Sequence, residues 1–304
     1  MKLGIACGLI VWTASLAQAQ VADPAADGVN LIRRETIAGL TRPDGEGSTM
    51  QVVLPAGAGV ARPTVLFVHG WFAEPDYYTG LAENLASRGF AVAMFDNVDR
   101  FELDLEQWIM GARRALDALE QAAADPTSPL FGELDLTRLA VMGHSYGGST
   151  TIALAALDAR VKVAVALTPG AERRNHERLM ALAAQDRIPT LIVGAELDPV
   201  VTPWVWALPA FRRLPAATPR LYVEIAGGEH VNVCDVDVWF WVWRPLSMRF
   251  QRTASPEQQR LLSRRYATAW LEHHLGITPD PGGWTDGSAA AADFQVELLS
   301  RYAR

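Results

Sequence analysis

The sequence predicts an α/β fold in which a mostly parallel β-sheet is covered by helices on both faces. Short runs that are apolar at every position recur along the chain, and amphipathic stretches with a helical period lie between them. Strands buried on both faces are apolar throughout, and their alternation with helices is typical of parallel sheets. The runs predicted to be strands are residues 64–68, 90–95, 138–142, 161–167, 190–193 and 221–225.

Two long helices can be placed by their apolar faces and their ends. Residues 104–123 place five apolar side chains on one face at helical spacing. A second helix is predicted to begin after Ser255, which forms a capping box with Gln258, and to end at Gly276. The buried face of the first helix is expected to comprise Trp108, Ala112, Ala115, Leu116 and Leu119.

The size and charge of the chain limit what it can bind. Its 304 residues, of which 50% are apolar, are enough for a large hydrophobic core without crosslinks. The formal net charge is −7, and no run of Lys or Arg forms a stripe. Because nucleic acids and anionic membranes bind clustered positive charge, we expect neither as a partner.

The N-terminus has the pattern of a secretory signal peptide. Lys2 is followed by a mostly apolar stretch at residues 3–17, and Ala17 and Ala19 are small residues at the positions that a signal peptidase reads. We therefore predict cleavage after Ala19 and a secreted or periplasmic protein. The apolar stretch is short for a bilayer-spanning helix, so stable membrane insertion is not expected.

A G-x-S-x-G motif joins a predicted strand to a predicted helix. The strand at residues 138–142 runs into the sequence GHSYG at 143–147, and the segment 149–157 that follows is predicted to be helical. In this context the motif is the nucleophile elbow of α/β-hydrolases, a sharp turn that presents a serine hydroxyl at the carboxyl end of the sheet. Ser145 is therefore the candidate nucleophile.

A serine nucleophile needs a general base, and the base needs a carboxylate that orients it. In the α/β-hydrolase fold the acid and then the histidine follow the serine along the chain. Asp198 follows the predicted strand at 190–193, and His230 follows the one at 221–225. Asp198 and His230 are therefore the candidate acid and base, and Glu196 is the alternative acid.

Backbone amides are expected to stabilise the oxyanion that forms during attack on a carbonyl group. The Tyr146 amide lies at the predicted start of a helix, directly after the nucleophile. A second amide should come from the loop after the strand at 64–68, where Gly70 permits close approach of backbone to substrate. We assign this amide to Trp71, with Phe72 as the alternative.

The remaining histidines and cysteines are not assigned to the chemistry. His69 and His144 flank the site and are interpreted as packing or hydrogen-bonding residues. His, Cys, Asp and Glu show no metal-site spacing, so neither a catalytic metal nor another cofactor is expected. After removal of the signal peptide Cys234 has no partner, and we favour a buried, inert thiol over a reactive one.

Five segments match a known family, namely residues 69–71, 138–148, 165–169, 188–198 and 227–230. On these segments the chain resembles bacterial cutinases and polyester hydrolases and, more distantly, dienelactone-hydrolase-like enzymes. The resemblance implies an α/β-hydrolase that cleaves small or polymeric carboxylic esters through an acyl-serine intermediate. It also implies the triad Ser145, Asp198 and His230 and an oxyanion hole made by the amides of Trp71 and Tyr146.

Four features depart from that family's pattern. Gly170 stands where the family often has a tryptophan in the wall of the acyl site, and Tyr146 stands where polyester hydrolases usually have methionine. The C-terminal disulfide common in the family cannot form here. Residues 231–254 form a longer, Trp-rich insertion. The fold and the ester chemistry are still expected, whereas activity on polymers does not follow.

The Trp-rich insertion has two interpretations. Because it follows His230, Trp239 and Trp241 are candidates to roof the acyl pocket in place of the wall missing at Gly170. Alternatively, these tryptophans alternate along a strand or loop that packs on the body of the protein. The predicted substrate contacts are Gly70, Phe72, Gly170, Trp239 and Trp241.

The predicted organisation is a signal peptide (1–19), a loose leader (20–30), a catalytic domain (31–277) and a C-terminal tail (278–304). Two other functions are compatible with the sequence: a lipase or lipid-acetyl hydrolase of the same fold, and a non-catalytic binding protein on a hydrolase scaffold. Such binding proteins usually lack a triad residue, and here all three positions are filled.

Overall fold

The computed structural model describes residues 23–99, 101–235, 254–279, 282–288 and 296–297. Within these ranges the strands are β1 (Ile32–Thr41), β2 (Gly47–Pro55), β3 (Arg62–Val68), β4 (Ala91–Phe95), β5 (Leu134–His144), β6 (Val163–Leu167), β7 (Thr190–Ala195), β8 (Arg220–Ile225) and β9 (Val296–Glu297). These described strands form one nine-stranded sheet in the order β1-β2-β4-β3-β5-β6-β7-β8-β9. The strands from β3 to β8 are parallel, and β1, β2 and β9 pair antiparallel with their neighbours.

Helices cover both faces of the sheet, as the sequence predicts. They are α1 (Thr79–Ser87), α2 (Leu105–Ala124), α3 (Tyr146–Leu157), α4 (His176–Ala183), α5 (Ala207–Arg213) and α6 (Pro256–His274). α1 and α6 share one core cluster with the side chains on one face of the strands, and α2 to α5 share the other. Neighbouring residues of β3 divide accordingly, since Val65 belongs to the first cluster and Leu66 to the second. The predicted α/β-hydrolase architecture is confirmed.

All six predicted strands are present as β3 to β8, but the sequence did not reveal β1, β2 and β9. β1 forms an edge of the sheet, and its residues are mostly half-buried or exposed. An edge strand of this kind carries polar side chains and lacks the continuous apolar run of a central strand. The antiparallel β1–β2 hairpin therefore has a much weaker sequence signal than the parallel core.

The ends of both predicted long helices are where the sequence places them. The Asp104 side chain caps α2 by accepting from the Glu106 amide, and all five predicted face residues of α2 are buried. At α6 the Ser255 hydroxyl accepts from the Gln258 amide at 3.1 Å. Gly276, with φ 69°, follows the end of α6 in the left-handed conformation that glycine adopts readily.

Residues 23–30 pack on α1 and α6, although they were expected to form a loose leader. The Arg265 guanidinium binds both carboxylate oxygens of Asp23, at 2.9 and 2.7 Å. Ala25 is only 3% exposed, and the Gly28 amide donates to the Ser87 hydroxyl at 2.7 Å. Glycine is needed at position 28 because a Cβ there would lie 2.2 Å from the Ser87 carbonyl oxygen at the end of α1. The small and polar composition of the segment is what made it look like a linker.

The tail beyond residue 277 also contributes to the sheet. β9 pairs antiparallel with β8, placing Val296 opposite Ile225. A strand beyond residue 277, the predicted end of the catalytic domain, therefore belongs to the same sheet. A search of the described residues for a helix both long and apolar enough to cross a bilayer finds no candidate.

Replacing Gly28 by alanine is expected to loosen residues 23–30. The added Cβ would lie 2.2 Å from the Ser87 carbonyl oxygen and 2.8 Å from Arg88 Cα, which are backbone atoms of the helix end. Overpacking of this kind costs about 1–3 kcal/mol, so the thermal midpoint should fall and a non-specific protease should cut the segment sooner.

Gly47→Ala is the matched control for this substitution, because a Cβ at Gly47 meets nothing within 4 Å. Mass spectrometry of the proteolytic fragments reports the cutting site in each variant. Identical cleavage of Gly28→Ala and the unsubstituted protein would show that residues 23–30 are not held against α1.

Candidate active site

A sharp turn between β5 and α3 carries the candidate nucleophile. β5 ends one residue before Ser145 and α3 begins one residue after it, so this residue alone makes the turn. Its φ of 56° and ψ of −119° are strained for a residue with a side chain. A Cβ at Gly147 would lie 2.0 Å from the Val68 carbonyl oxygen, and one at Gly143 would lie 2.4 Å from the Gly147 carbonyl oxygen. The turn therefore requires glycine at both positions.

Three side chains that are far apart in the sequence meet beside this turn. His230 Nε2 lies 2.9 Å from Ser145 Oγ, and His230 Nδ1 lies 2.6 Å from Asp198 Oδ2. All three residues are buried, with 7% of Ser145, 7% of His230 and 2% of Asp198 exposed. Asp198 follows β7 and His230 follows β8, so both enter the site from the carboxyl ends of parallel strands.

The hydrogen-bond partners define where the proton of His230 lies. A carboxylate can only accept, so Nδ1 of His230 carries the proton and donates to Asp198. The Nε2 atom is then free of a proton and accepts from the Ser145 hydroxyl. In this state the imidazole can take the serine proton without first losing one of its own.

The two candidate acids have different partners. Asp198 Oδ1 accepts from the amides of Val200 and Val201, at 2.8 and 2.9 Å, which leaves Oδ2 for His230. Glu196 Oε2 instead accepts from the Gly227 amide at 2.7 Å. Glu196 therefore braces the neighbouring loop, and Asp198 is the acid in contact with the histidine.

The loop after β3 lies against the nucleophile. A Cβ at Gly70 would lie only 3.2 Å from Ser145 Cβ. The next amide, that of Trp71, donates to no carbonyl of the described residues. Tyr146 is the first residue of α3, and the amide of a first helical residue has no carbonyl partner within its own helix. The two amides assigned to the oxyanion hole are thus both available at the side of Ser145.

His69 holds the peptide that bears the Trp71 amide. Its Nε2 accepts from the Asn97 amide at 3.1 Å, so its Nδ1 carries the proton and donates to the Gly70 carbonyl oxygen at 2.8 Å. The Gly70 carbonyl and the Trp71 amide belong to one planar peptide unit. The imidazole of His69, together with the Ala73 amide that donates to the same oxygen at 3.1 Å, therefore orients the Trp71 N–H.

Phe72, the alternative oxyanion residue, has φ 61° and lies on the rim. Its ring contacts those of Trp71 and Phe101, with centroids 5.8 and 5.4 Å apart. Its side chain does not line the cavity at Ser145, so its predicted contact with substrate has no support in the described residues. The two rings of Phe72 and Phe101 form part of an exposed aromatic rim.

A small apolar cavity opens at the candidate triad. It has a volume of about 50 Å³ and is lined, among the described residues, by Gly70, Trp71, Ala73, His144, Ser145, Val200, His230, Val231 and Cys234. A much larger cleft of about 680 Å³ lies beside the β1–β2 hairpin, is lined by residues that include Arg42 and Asp96, and shares only Ala73 with it. The small cavity is the one next to the chemistry, since the large cleft touches none of the three triad candidates.

The tyrosine that follows the nucleophile points away from this cavity. The Tyr146 hydroxyl donates to the Leu103 carbonyl oxygen at 2.7 Å and accepts from the Glu172 amide at 2.9 Å. It also accepts from the Asn175 side-chain amide at 3.1 Å. The side chain thus ties together two loops behind the elbow and does not line the cavity at Ser145.

Gly170 lies beside the loop of the candidate acid. A Cβ at this position would come within 2.2 Å of Val201 Cγ1, and the Gly170 amide donates to the Ser145 carbonyl oxygen at 3.2 Å. Val201 therefore occupies the space into which a larger residue would extend. Gly170 does not line the cavity at Ser145, and Trp239 and Trp241 lie outside the described residues.

Sequence reasoning missed one polar residue of the site. The Tyr78 hydroxyl lies 2.8 Å from His144 Nδ1, although the two residues are 66 positions apart. Tyr78 follows a second tyrosine in a polar stretch, and no spacing rule separates the two. His144 was correctly expected to form hydrogen bonds, but the sequence could not identify its partners.

The Cys234 thiol is free and buried, 3% exposed. Burial raises the pKa of Cys234 to about 12, so the thiolate is not populated at neutral pH. This agrees with the expectation of an inert thiol. Among the described residues, no group of three or more His, Cys, Asp or Glu side chains has the arrangement of a metal site.

Comparison with known proteins places this geometry in a family. The model of the PET hydrolase-like family matches residues 17–238. Cutinase 2 of Thermobifida cellulosilytica is 33% identical over 181 residues, which are 57% of this chain and 65% of the relative. Cutinase cut1 of Thermobifida fusca is also 33% identical over 181 residues, 57% of this chain and 53% of the relative.

A third relative carries a different name. The bis(hydroxyethyl) terephthalate hydrolase of Streptomyces coelicolor is 30% identical over 168 residues, 55% of this chain and 50% of the relative. In all three comparisons the match spans between half and two thirds of the relative's length. The family model, in contrast, covers most of the present chain and includes the elbow, the acid and the histidine. The chain therefore belongs to the PET hydrolase-like family.

Proposed function

We propose that the protein is a serine hydrolase that cleaves carboxylic esters through an acyl-Ser145 intermediate. One observation carries this proposal: the buried chain from Ser145 Oγ to His230 Nε2 at 2.9 Å and from His230 Nδ1 to Asp198 Oδ2 at 2.6 Å. This chain lies at a strained turn that exposes the serine to a cavity. A nucleophile, a base and an orienting acid in this order are the requirements for acyl transfer.

In the first half of the reaction Ser145 Oγ attacks the ester carbonyl carbon. His230 Nε2 takes the hydroxyl proton, and Asp198 stabilises the resulting imidazolium. The carbonyl oxygen gains negative charge and accepts from the amides of Trp71 and Tyr146. Collapse of this intermediate breaks the bond to the alcohol oxygen, which receives the proton from His230 and leaves.

In the second half a water molecule attacks the acyl carbon. His230 Nε2 now takes a proton from the water, and the same two amides again stabilise the oxyanion. The bond to Ser145 Oγ breaks, and the serine recovers its proton from His230. The acid is released, and the starting arrangement of the three side chains is restored.

We propose a compact, apolar acyl group for the substrate. Trp71, Val200 and Val231 line a cavity of about 50 Å³ together with Ser145 and His230. The Streptomyces relative is named for an ester of an aromatic acid, and a flat ring of this kind is a suitable group for an apolar wall. Esters of small aromatic and short aliphatic acids are therefore the first substrates to test, with a polyester film alongside them.

Ser145→Ala is expected to abolish hydrolysis of p-nitrophenyl esters while the protein remains folded. Loss of the nucleophile removes covalent catalysis, and turnover should fall on the order of 10³-fold or more. Labelling by a fluorophosphonate probe should be lost at the same time. A Ser145→Ala variant that still turns over esters, or a wild-type protein that is never labelled, would favour a binding protein on this scaffold instead.

Asp198→Asn and Glu196→Gln form a matched pair that assigns the acid. Asp198→Asn presents an amide to His230 Nδ1 and favours the wrong tautomer, which in serine triads lowers kcat by about 10⁴-fold. Glu196→Gln keeps an oxygen for the Gly227 amide, so its kcat should stay within a few-fold of wild type. The reverse order of the two kcat values would transfer the role of acid to Glu196.

We also propose that the protein is exported and cleaved after Ala19, as the residue pattern of its N-terminus indicates. When the full sequence is expressed in bacteria, the protein recovered from outside the cytoplasm should begin at Gln20. Intact-mass measurement checks this, and an exported protein that keeps residues 1–19 would exclude the cleavage.

A further inference from the structure

A buried chain of hydrogen bonds connects the loop after β3, which contains Gly70 and Trp71, to the candidate base His230. The Gly70 amide donates to the Tyr78 hydroxyl oxygen at 3.1 Å. The Tyr78 hydroxyl lies 2.8 Å from His144 Nδ1, and His144 Nε2 lies 2.9 Å from the His230 carbonyl oxygen. Tyr78 is 1% exposed and His144 is 3% exposed, so water does not compete for these bonds.

The ends of this chain define the direction of every bond in it. An amide N–H can only donate, so the Tyr78 oxygen accepts from Gly70. The Tyr78 hydrogen is directed to His144 Nδ1 because that atom carries no proton when Nε2 of the neutral ring donates to His230. A carbonyl oxygen can only accept, so His144 Nε2 carries the proton that binds His230. A single tautomer of neutral His144 therefore satisfies the whole chain.

Burial reinforces this neutral state. It lowers the pKa of His144 well below its usual value, and positive charge on the nearby His230 lowers that pKa further. The centroids of the His144 and His230 rings are 4.8 Å apart. When His230 takes the serine proton, His144 consequently remains neutral and its hydrogen bonds keep the same direction.

The chain reaches all three reacting parts of the site. At one end it holds the Gly70 amide, while His69 holds the Gly70 carbonyl, so both peptide units of Gly70, including the one that carries the Trp71 amide, are anchored. At the other end it holds the backbone of His230. His144 itself precedes Ser145 in the sequence. A shift in any of these parts would be transmitted to the other two.

We propose that Tyr78 and His144 are positioning residues that keep the Trp71 amide and His230 in fixed geometry around Ser145. This inference rests on the proposed ester hydrolysis. Its physical basis is that oxyanion stabilisation depends on donors placed in advance at the position where charge develops. Neither residue transfers a proton to the substrate, and both act through the groups they hold.

Tyr78→Phe tests the proposal by removing only the hydroxyl. The ring can keep its packing on Phe67, whose centroid is 4.6 Å away, but the Gly70 amide and His144 Nδ1 lose their partner. We expect kcat for p-nitrophenyl acetate to fall about tenfold with little change in KM, because the loss affects the transition state more than the bound ester. Complete removal of an oxyanion donor costs about 10²–10³-fold.

Tyr222→Phe is the matched control for a purely structural loss. Tyr222 is also fully buried, its hydroxyl donates to the Glu224 carboxylate, and neither residue lines the cavity at Ser145. Both variants should have lower melting temperatures, but Tyr222→Phe should retain kcat within about twofold. A Tyr78→Phe variant that loses stability and keeps the wild-type kcat would overturn the proposal.

Two substitutions of His144 test separately the two hydrogen bonds that its imidazole ring makes, one to Tyr78 and one to His230. His144→Asn offers an oxygen to Tyr78 and loses the donor to His230, whereas His144→Gln offers a donor to His230 and loses the acceptor for Tyr78. Because His144→Gln already breaks the Tyr78 bond, adding Tyr78→Phe to it should lower kcat less than Tyr78→Phe alone. Additive effects would show that the two residues act independently and would also overturn the proposal.

This set of variants remains decisive if one protein fails to fold. Should Tyr78→Phe be unobtainable, a kcat that stays wild-type in both His144→Asn and His144→Gln would still reject the positioning role. Ser145→Ala, measured in the same assay, keeps the two hypotheses apart. Retained turnover in Ser145→Ala rejects the proposed function, whereas its loss together with a wild-type kcat in Tyr78→Phe rejects only the positioning role.

Discussion

The site depends on the close contact between two backbone turns at the carboxyl edge of the sheet. The turn after β5 presses on the end of β3 so tightly that a Cβ at Gly147 would lie 2.0 Å from the Val68 carbonyl oxygen. This contact places Ser145 beside Gly70, so the loop that contains Trp71 and the start of α3 at Tyr146 both adjoin the candidate nucleophile. The energetic cost is a strained φ at Ser145, which the surrounding sheet and α3 hold in place.

Hydrogen bonds beyond the strand ends carry the register of the sheet into the site. The Ser145 amide donates to Leu167 at the end of β6, and the Thr168 amide donates to Val193 in β7. Further along the same edge, the Glu196 amide donates to Ile225 at the end of β8, and the Leu197 amide donates to Gly228. The loops that carry the acid and the histidine are therefore extensions of a rigid sheet.

Strand order explains how much of this could be predicted. A buried apolar run ends at the edge of the parallel sheet, so the loop that follows it lies at that common edge whatever its partners are. Ser145, Asp198 and His230 were predicted as site residues in this way. The rule does not predict which way a side chain points, because Glu196 and Asp198 follow the same strand and bind different partners. The Tyr78–His144 contact could not be predicted from the sequence, since it depends on how the turn that precedes α1 lies in space against the end of β5. β1 was missed because this half-exposed edge strand lacks a continuous apolar pattern, whereas the short buried run at residues 52–55 of β2 was not recognised as a strand.

The titratable side chains packed around the candidate triad are neutral, which bears on the proposed chemistry. Burial raises the pKa values of Tyr78 and Cys234 and lowers that of His144, so all three are neutral at neutral pH. Val200, Val231 and the ring of Trp71 add apolar surface to the same cavity. Charge that develops on a substrate oxygen would thus meet few competing charges and little water, and in such surroundings each oriented amide has a larger effect than in solution. A buried hydroxyl, thiol and imidazole that stay neutral can therefore assist a reaction whose charged species are confined to the oxyanion, His230 and Asp198.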